Sequence, residues 1–152
     1  MKGDWESVKD MPNIQREISK QNETTLHIAA AANQEVFVKN LVKGMSSDDL
    51  KAENNVGNTA LCYAAITGNV NIAKVMQDKN GDLPNLGSGV KPLFMAALVG
   101  HGKMVEHLSR FTRIEEWDTT DQVELFVTYA RVEMYGKHKF LLFALLWYDM
   151  LT

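Results

Sequence analysis

The stretch TALCYAAITGNVNIAKVM, residues 59–76, decides the fold because two similar segments occur elsewhere in the chain. TTLHIAAAANQEVFVKNL begins at Thr24, and KPLFMAALVGHGKMVEHL begins at Lys91. The leucines at the third position of the copies, Leu26, Leu61 and Leu93, are 35 and 32 residues apart. Similarity at a nearly fixed period in this range is the signature of an array of stacked repeats.

Each copy predicts a first helix of about two turns. Thr24 and Thr59 stand where a hydroxyl can cap this helix, and Pro92 stands at the first helical position, where a missing N–H is not needed. Paired alanines follow, which favour helix and let neighbouring helices approach closely. These pairs are Ala29-Ala30, Ala64-Ala65 and Ala96-Ala97.

A tight turn and a second helix complete each copy. Gly68 and Gly100 predict a left-handed residue at the end of the first helix, and Asn33 takes that place in the first copy. In the second helix, apolar residues four apart predict one core-facing side. The pairs are Phe37 and Leu41, Ile72 and Met76, and Met104 and Leu108.

These columns resemble the ankyrin pattern T-P-L-H-x-A-A…G-H…V…L from about Asn22 to Phe111, and TTLHIAA and GNTALCYAA are close versions of it. The resemblance implies an all-α ankyrin-repeat solenoid, made of stacked helix-turn-helix pairs with β-turn fingers. LPNLGSGVKPLFMAALVGHGKMVEHL is further similar to the plant ankyrin family of accelerated-cell-death-like proteins. Full-length members of that family carry a C-terminal membrane domain and act in stress or defence signalling.

The copies depart from the family pattern at three places. Cys62 and Phe94 replace the motif histidine, and Lys91 replaces the motif threonine. The third copy therefore cannot form the threonine–histidine network. We expect it to depend more on the packing of Phe94 and Met95.

The alignment divides the chain into five units. Gly3–Lys9 aligns with Gly68–Lys74, so the chain is predicted to begin with the second helix of a copy. The predicted units are a half repeat and linker at 1–20, repeats at 22–56, 57–86 and 87–112, and a degenerate repeat with an apolar C-terminal helix at 113–152.

In the last unit, Asp121 is predicted to cap a helix with Glu124 as its capping-box partner. The segment from Phe140 to Tyr148 has nine apolar residues, fewer than the roughly 20 needed to span a bilayer. One interpretation is a closing helix that buries Leu141 and Leu145.

Two other interpretations of this tail stay open. Lys137 and Lys139 with Trp147 would suit a membrane-surface anchor. The tail would also suit the non-native end of a truncated gene product, since the membrane domain of the plant family is missing.

Composition narrows the class of protein. The 45% hydrophobic and 23% charged content is that of a folded globular chain, and the net charge of −3 offers no broad attraction to nucleic acid. Cys62 is the single cysteine, and no apolar signal-peptide core follows Met1. We therefore expect a cytoplasmic protein, with a peripheral position at the plasma membrane as the alternative.

No arrangement predicts catalysis, a cofactor or a metal. His27 and His101 are expected to be structural, and His107 and His138 have no partner at ligand spacing. Gly102-Lys103 lacks the first glycine and the hydroxyl of a phosphate loop. We predict a non-enzyme with a protein partner and without nucleic acid or a small-molecule substrate.

The ankyrin resemblance places the partner on the concave side, at the fingers and the end of each first helix. The predicted partner-binding residues are Glu23, Ala31, Ala32, Asn55, Val56, Asn58, Ile66, Thr67, Ser88, Val90, Leu98 and Val99, with Gln21 beside them. The plainer interpretation is that Ile66, Leu98 and Val99 belong to the packed face. The function predicted is a non-catalytic interaction module, and the alternative is a truncated relative of a membrane-associated signalling protein, attached through its apolar tail.

Overall fold

Seven α-helices and three short 3-10 turns make up the described part of the chain. The computed structural model describes residues 18–133, with Glu6 and Arg16, and side chains as far as residue 131. The helices are α1 (Thr25–Ala31), α2 (Glu35–Gly44), α3 (Ala60–Thr67), α4 (Val70–Lys79), α5 (Pro92–Val99), α6 (Gly102–Leu108) and α7 (Thr119–Glu133). The 3-10 turns are Asp49–Lys51, Leu83–Asn85 and Ile114–Glu116.

The helices form two layers. In the inner layer α3 packs between α1 and α5, and α7 packs on the far side of α5. In the outer layer α4 contacts both α2 and α6. Helices α1, α3 and α5 each also pack on the outer helix that follows, so the predicted all-α repeat solenoid is confirmed.

The core is built from the apolar residues that recur at equivalent positions of the repeats. Leu26, Leu61 and Leu93 are each 2% exposed or less, and the alanine pairs beside them are buried. Leu125 and Tyr129 continue this core on α7, which thus serves as a fourth inner helix. From the outer helices, Leu41, Ile72, Met76, Met104 and Leu108 complete it, whereas Phe37 packs against it and stays half-buried.

The predicted ends of the first helices are confirmed. Gly68 and Gly100 have φ of 71° and 79°, and Asn33 has φ of 56°, all in the left-handed region. Pro92 is the first residue of α5. These turns reverse the chain within two or three residues, which places each second helix directly against its first.

Two helix starts differ from the predictions. Thr59 precedes α3, but its buried hydroxyl makes no capping bond to that helix. Helix α7 begins at Thr119, so Asp121 is not its cap. Asp118 serves instead, because its Oδ1 accepts the Asp121 N–H at 2.8 Å.

Most of the predicted half repeat at 1–20 and the predicted tail helix, with Leu141 and Leu145, lie outside the described residues. The proposed anchor residues Lys137, Lys139 and Trp147, and His138, lie outside them too. Within the part described, no helix has the length and apolar character needed to cross a bilayer.

Candidate protein-binding surface

Three loops precede the inner helices and stack on one another. We call them finger loops 18–23, 52–58 and 86–91. The Asn55 N–H donates to Gln21 O at 2.9 Å, and the Gly89 N–H donates to Gly57 O at 2.9 Å. A Cβ on Gly89 would overlap Val56 O, so the second and third loops are in close contact. The loops and the solvent-facing side of the inner helices together form what we call the finger face.

Asn54 organises the second finger loop. Its Oδ1 accepts the N–H groups of Val56 at 3.1 Å and Asn58 at 3.0 Å, which closes the turn. Its Nδ2 donates to the Tyr63 hydroxyl at 3.0 Å, and that hydroxyl donates to Glu23 Oε1 at 2.5 Å. The bond from Tyr63 holds the pKa of Glu23 below its usual value. The Glu23 carboxylate therefore joins two repeats.

His27 links α1 to the second finger loop. Its Nδ1 lies 3.2 Å from the Thr24 N and 2.8 Å from the Thr24 hydroxyl oxygen. Because a backbone N–H can only donate, Nδ1 must be unprotonated, and Nε2–H donates to Asn58 O at 3.0 Å. The ring is thus neutral, and burial holds its pKa below the ordinary value.

Cys62 makes the equivalent link one repeat later. Its Sγ–H donates to Val90 O at 3.2 Å, in the place where His27 reaches Asn58 O. Burial raises the pKa of this thiol to about 11, so it stays protonated and lacks the thiolate needed for nucleophilic chemistry. The substitution keeps the bridge to the finger loop that the motif histidine supplies in the first repeat.

The third finger loop is held by Lys91. Its Nζ donates to Gly87 O at 2.6 Å and to Asn85 O at 3.3 Å. Phe94 and Met95 pack against the core and remain half-buried. His27 therefore positions the second finger loop, and Cys62 and Lys91 together position the third.

The neutral state of His27 makes stability depend on pH. Its pKa is lowered in the fold, so the unfolded chain binds the proton first as pH falls below about 6.5. Stability from this group is complete above that pH and decreases below it. We expect the urea midpoint of the wild type to fall further between pH 7.5 and 5.5 than that of His27→Gln.

His107 also has a pKa lowered by burial, and it is present in both proteins. The difference between the two pH profiles therefore isolates His27. If the urea midpoints of the wild type and His27→Gln fell by the same amount over this pH range, the neutral, backbone-bonded state of the His27 ring would be contradicted.

Most of the predicted partner residues are accessible. Val56 is 67% exposed, Leu98 56%, Val99 49% and Val90 46%. The other exposed members are Ala31, Ala32, Asn55 and Ser88, with Gln21, and the half-buried ones are Glu23, Asn58, Ile66 and Thr67. Leu98 and Val99 are thus solvent-facing, and Ile66 lies partly in the packed face.

A cavity of about 500 Å³ lies between the second and third finger loops, α5 and the start of α7. Val56, Val90, Phe94 and Trp117 supply its apolar lining, and we call it the finger cavity. Lys91, Asp121 and Glu124 supply its charges. Sequence reasoning missed Trp117 and Phe94 as site residues, and it interpreted Asp121 and Glu124 only as a cap. The signal that could have found them is the continuation of the inner layer into α7.

The other histidines that the structure describes, His101 and His107, serve the packing. His101 Nε2 lies 2.9 Å from Ile66 O, and its ring fills the space beside Gly68. His107 Nε2 lies 2.6 Å from Gln77 Oε1. Among the residues that the structure describes, no group of three or more His, Cys, Asp or Glu could hold a metal ion.

Comparison with known proteins gives one family. A family model for "Ankyrin repeats (3 copies)" matches residues 3–86 and 26–121. One chain of the crystal structure of the yeast ribosomal protein Rps3 in complex with its chaperone Yar1 is 25% identical, with a TM-score of 0.59. The match covers 71% of this chain and 84% of that one. Comparison with the curated proteins found no match.

Proposed function

This chain belongs to the ankyrin-repeat family, and from that premise we propose that it is a non-catalytic module that binds a protein partner on its finger face. Ankyrin arrays are typically interaction scaffolds rather than enzymes. In the proposal the partner is a protein, and neither nucleic acid nor a small-molecule substrate is bound. The predicted partner-binding residues keep that role here.

The observation that carries the proposal is exposed apolar surface on a rigid support. Leu98 and Val99 end α5 and are about half exposed, and Val56 and Val90 stand out from the finger loops. Exposed apolar patches of this kind mark interaction sites in soluble proteins. The hydrogen bonds between the loops preorganise the surface, which lowers the entropy cost of binding.

The solved structure supports a protein partner. It is described as a ribosomal protein in complex with its chaperone, which is an assembly of two proteins. At 25% identity we carry over only the class of partner, and the ribosomal client stays with that complex.

A narrower proposal is a cytoplasmic role in plant stress or defence signalling. It is supported by the resemblance of LPNLGSGVKPLFMAALVGHGKMVEHL and by the single cysteine, Cys62. The alternative is a truncated relative of a membrane-associated signalling protein, attached at the plasma membrane through its apolar tail. Sedimentation with membranes separates the two, since only the attached form pellets with them.

The test of the main proposal is a pull-down with Ile66→Glu plus Leu98→Glu. Two carboxylates in an apolar interface would be desolvated without partners. We expect recovery of the specific partner to fall by at least about tenfold, since losing one central contact often costs more than 1.4 kcal/mol. Quantitative mass spectrometry of proteins captured from the producing cells measures this.

The matched control is Val36→Glu plus Phe111→Glu, which also adds two carboxylates at exposed apolar residues. Val36 lies on the outer helix α2, and Phe111 follows α6. Circular dichroism and urea unfolding establish that both double variants fold. Equal recovery with the two variants would refute the finger face as the binding surface.

A further inference from the structure

We propose that the finger cavity binds an arginine side chain of the partner, with an apolar neighbour of that arginine on the cavity's rim. The inference rests on the proposed function, because the arginine belongs to the protein segment bound on the finger face. It adds the chemistry of the partner and assigns α7 to the binding surface.

The apolar walls suit the flat guanidinium group and its aliphatic stem. Phe94 and Trp117, both half-buried, offer aromatic side chains, and Val56 and Val90 line the cavity from the finger loops. Arginine stacks on aromatic faces through cation–π attraction, and its stem buries apolar area. At about 500 Å³ the cavity has room for this side chain and part of a neighbouring one.

The charges of the cavity select a cation. Asp121 and Glu124 are three residues apart on α7, so both carboxylates are on one side of that helix. Within residues 18–131 neither carboxylate has an ion-pair partner. Lys91 directs its ammonium group to the carbonyls of Gly87 and Asn85. The acidic side chains therefore remain available to a positive group of the partner.

The site is also preorganised. Gln122 Nε2 donates to Ile114 O and to Trp117 O, each at 3.0 Å, which ties the loop before α7 to the helix itself. The bond from the Asp121 N–H to Asp118 Oδ1 holds the first turn of α7. Two carboxylates on one side of a helix favour arginine over lysine, because the guanidinium offers donors in a planar fork.

The experiment selects a phage-displayed library of random peptides on the immobilised full chain. Affinities of the selected peptides are then measured for four proteins. These are the wild type, Asp121→Asn plus Glu124→Gln, the control Asp48→Asn plus Glu106→Gln, and the finger-face variant Ile66→Glu plus Leu98→Glu. The control removes two carboxylates from exposed ion pairs that lie outside the cavity.

We expect arginine beside an apolar residue to recur among the selected peptides. Their affinity should fall about tenfold for Asp121→Asn plus Glu124→Gln, as for loss of a close charge pair at an interface. It should stay unchanged for the control, Asp48→Asn plus Glu106→Gln. Replacing the peptide arginine by lysine should also weaken binding.

Two outcomes would overturn the inference. Peptides that lose affinity for the finger-face variant but bind Asp121→Asn plus Glu124→Gln as tightly as the wild type would overturn it and leave the proposed function standing. Failure to select any peptide sensitive to either variant would count against both.

Discussion

Leu93→Ala is expected to lower the free energy of unfolding by about 3 kcal/mol, within the range for large-to-small substitutions in cores. Leu93 is 0% exposed on α5, the helix that packs between α3 and α7. Removal of its side chain leaves a cavity that helices on both sides cannot easily close. Urea unfolding followed by circular dichroism measures the change.

Leu98→Ala is the matched control, because it makes the same substitution on the same helix. Leu98 is 56% exposed, so we expect an effect within roughly 0.5 kcal/mol, as at other surface positions. A similar loss in both variants would contradict the assignment of Leu93 to the core and Leu98 to the finger face.

Gly57→Ala is expected to destabilise the fold by about 2–4 kcal/mol, from a strained backbone and from overpacking. Gly57 has φ of 77°, where a side chain is disfavoured. A Cβ there would lie 2.5 Å from the Gly89 N and 2.9 Å from the Ser88 backbone carbon. The second and third finger loops would have to separate, which breaks the bond from the Gly89 N–H to Gly57 O.

Gly102→Ala adds the same methyl group at a position where, apart from its chain neighbours and the backbone of its own helix, no atom lies within 4 Å of the new Cβ. Gly102 is the first residue of α6, so alanine should be neutral or stabilise by up to about 1 kcal/mol. We therefore expect Gly57→Ala to lower the free energy of unfolding, and Gly102→Ala to leave it unchanged or to raise it. If both variants unfolded at the wild-type urea midpoint, the stacking of the finger loops would be refuted.

The local chemistry of each repeat could be predicted because it depends on residues close in sequence. Gly68 and Gly100 take the left-handed turn that their position requires, and Pro92 begins its helix. The start of α7 was predicted incorrectly. Both Asp118 and Asp121 could cap a helix, and only the folded chain shows that Asp118 does so.

The links between repeats could not be predicted in detail. The Tyr63 hydroxyl joins Glu23 to Asn54, and these residues come from two finger loops and one inner helix. Cys62 departs from the motif, yet its thiol keeps the bridge to Val90 O. Such contacts depend on the spacing between neighbouring repeats and on side-chain rotamers. The sequence motif of a single repeat contains no information on that spacing or on those rotamers.

By itself, the sequence determined the repeat class, the turns and the apolar columns, because periodicity and turn chemistry are local properties. It also predicted Leu98 and Val99 as residues of the binding surface, and the structure shows that both are exposed. Only the tertiary structure decided the composition of the finger cavity, where Val56, Phe94 and Trp117 meet. These residues are far apart in the chain, and stacking of successive units brings them together because each inner helix buries its apolar side on the next.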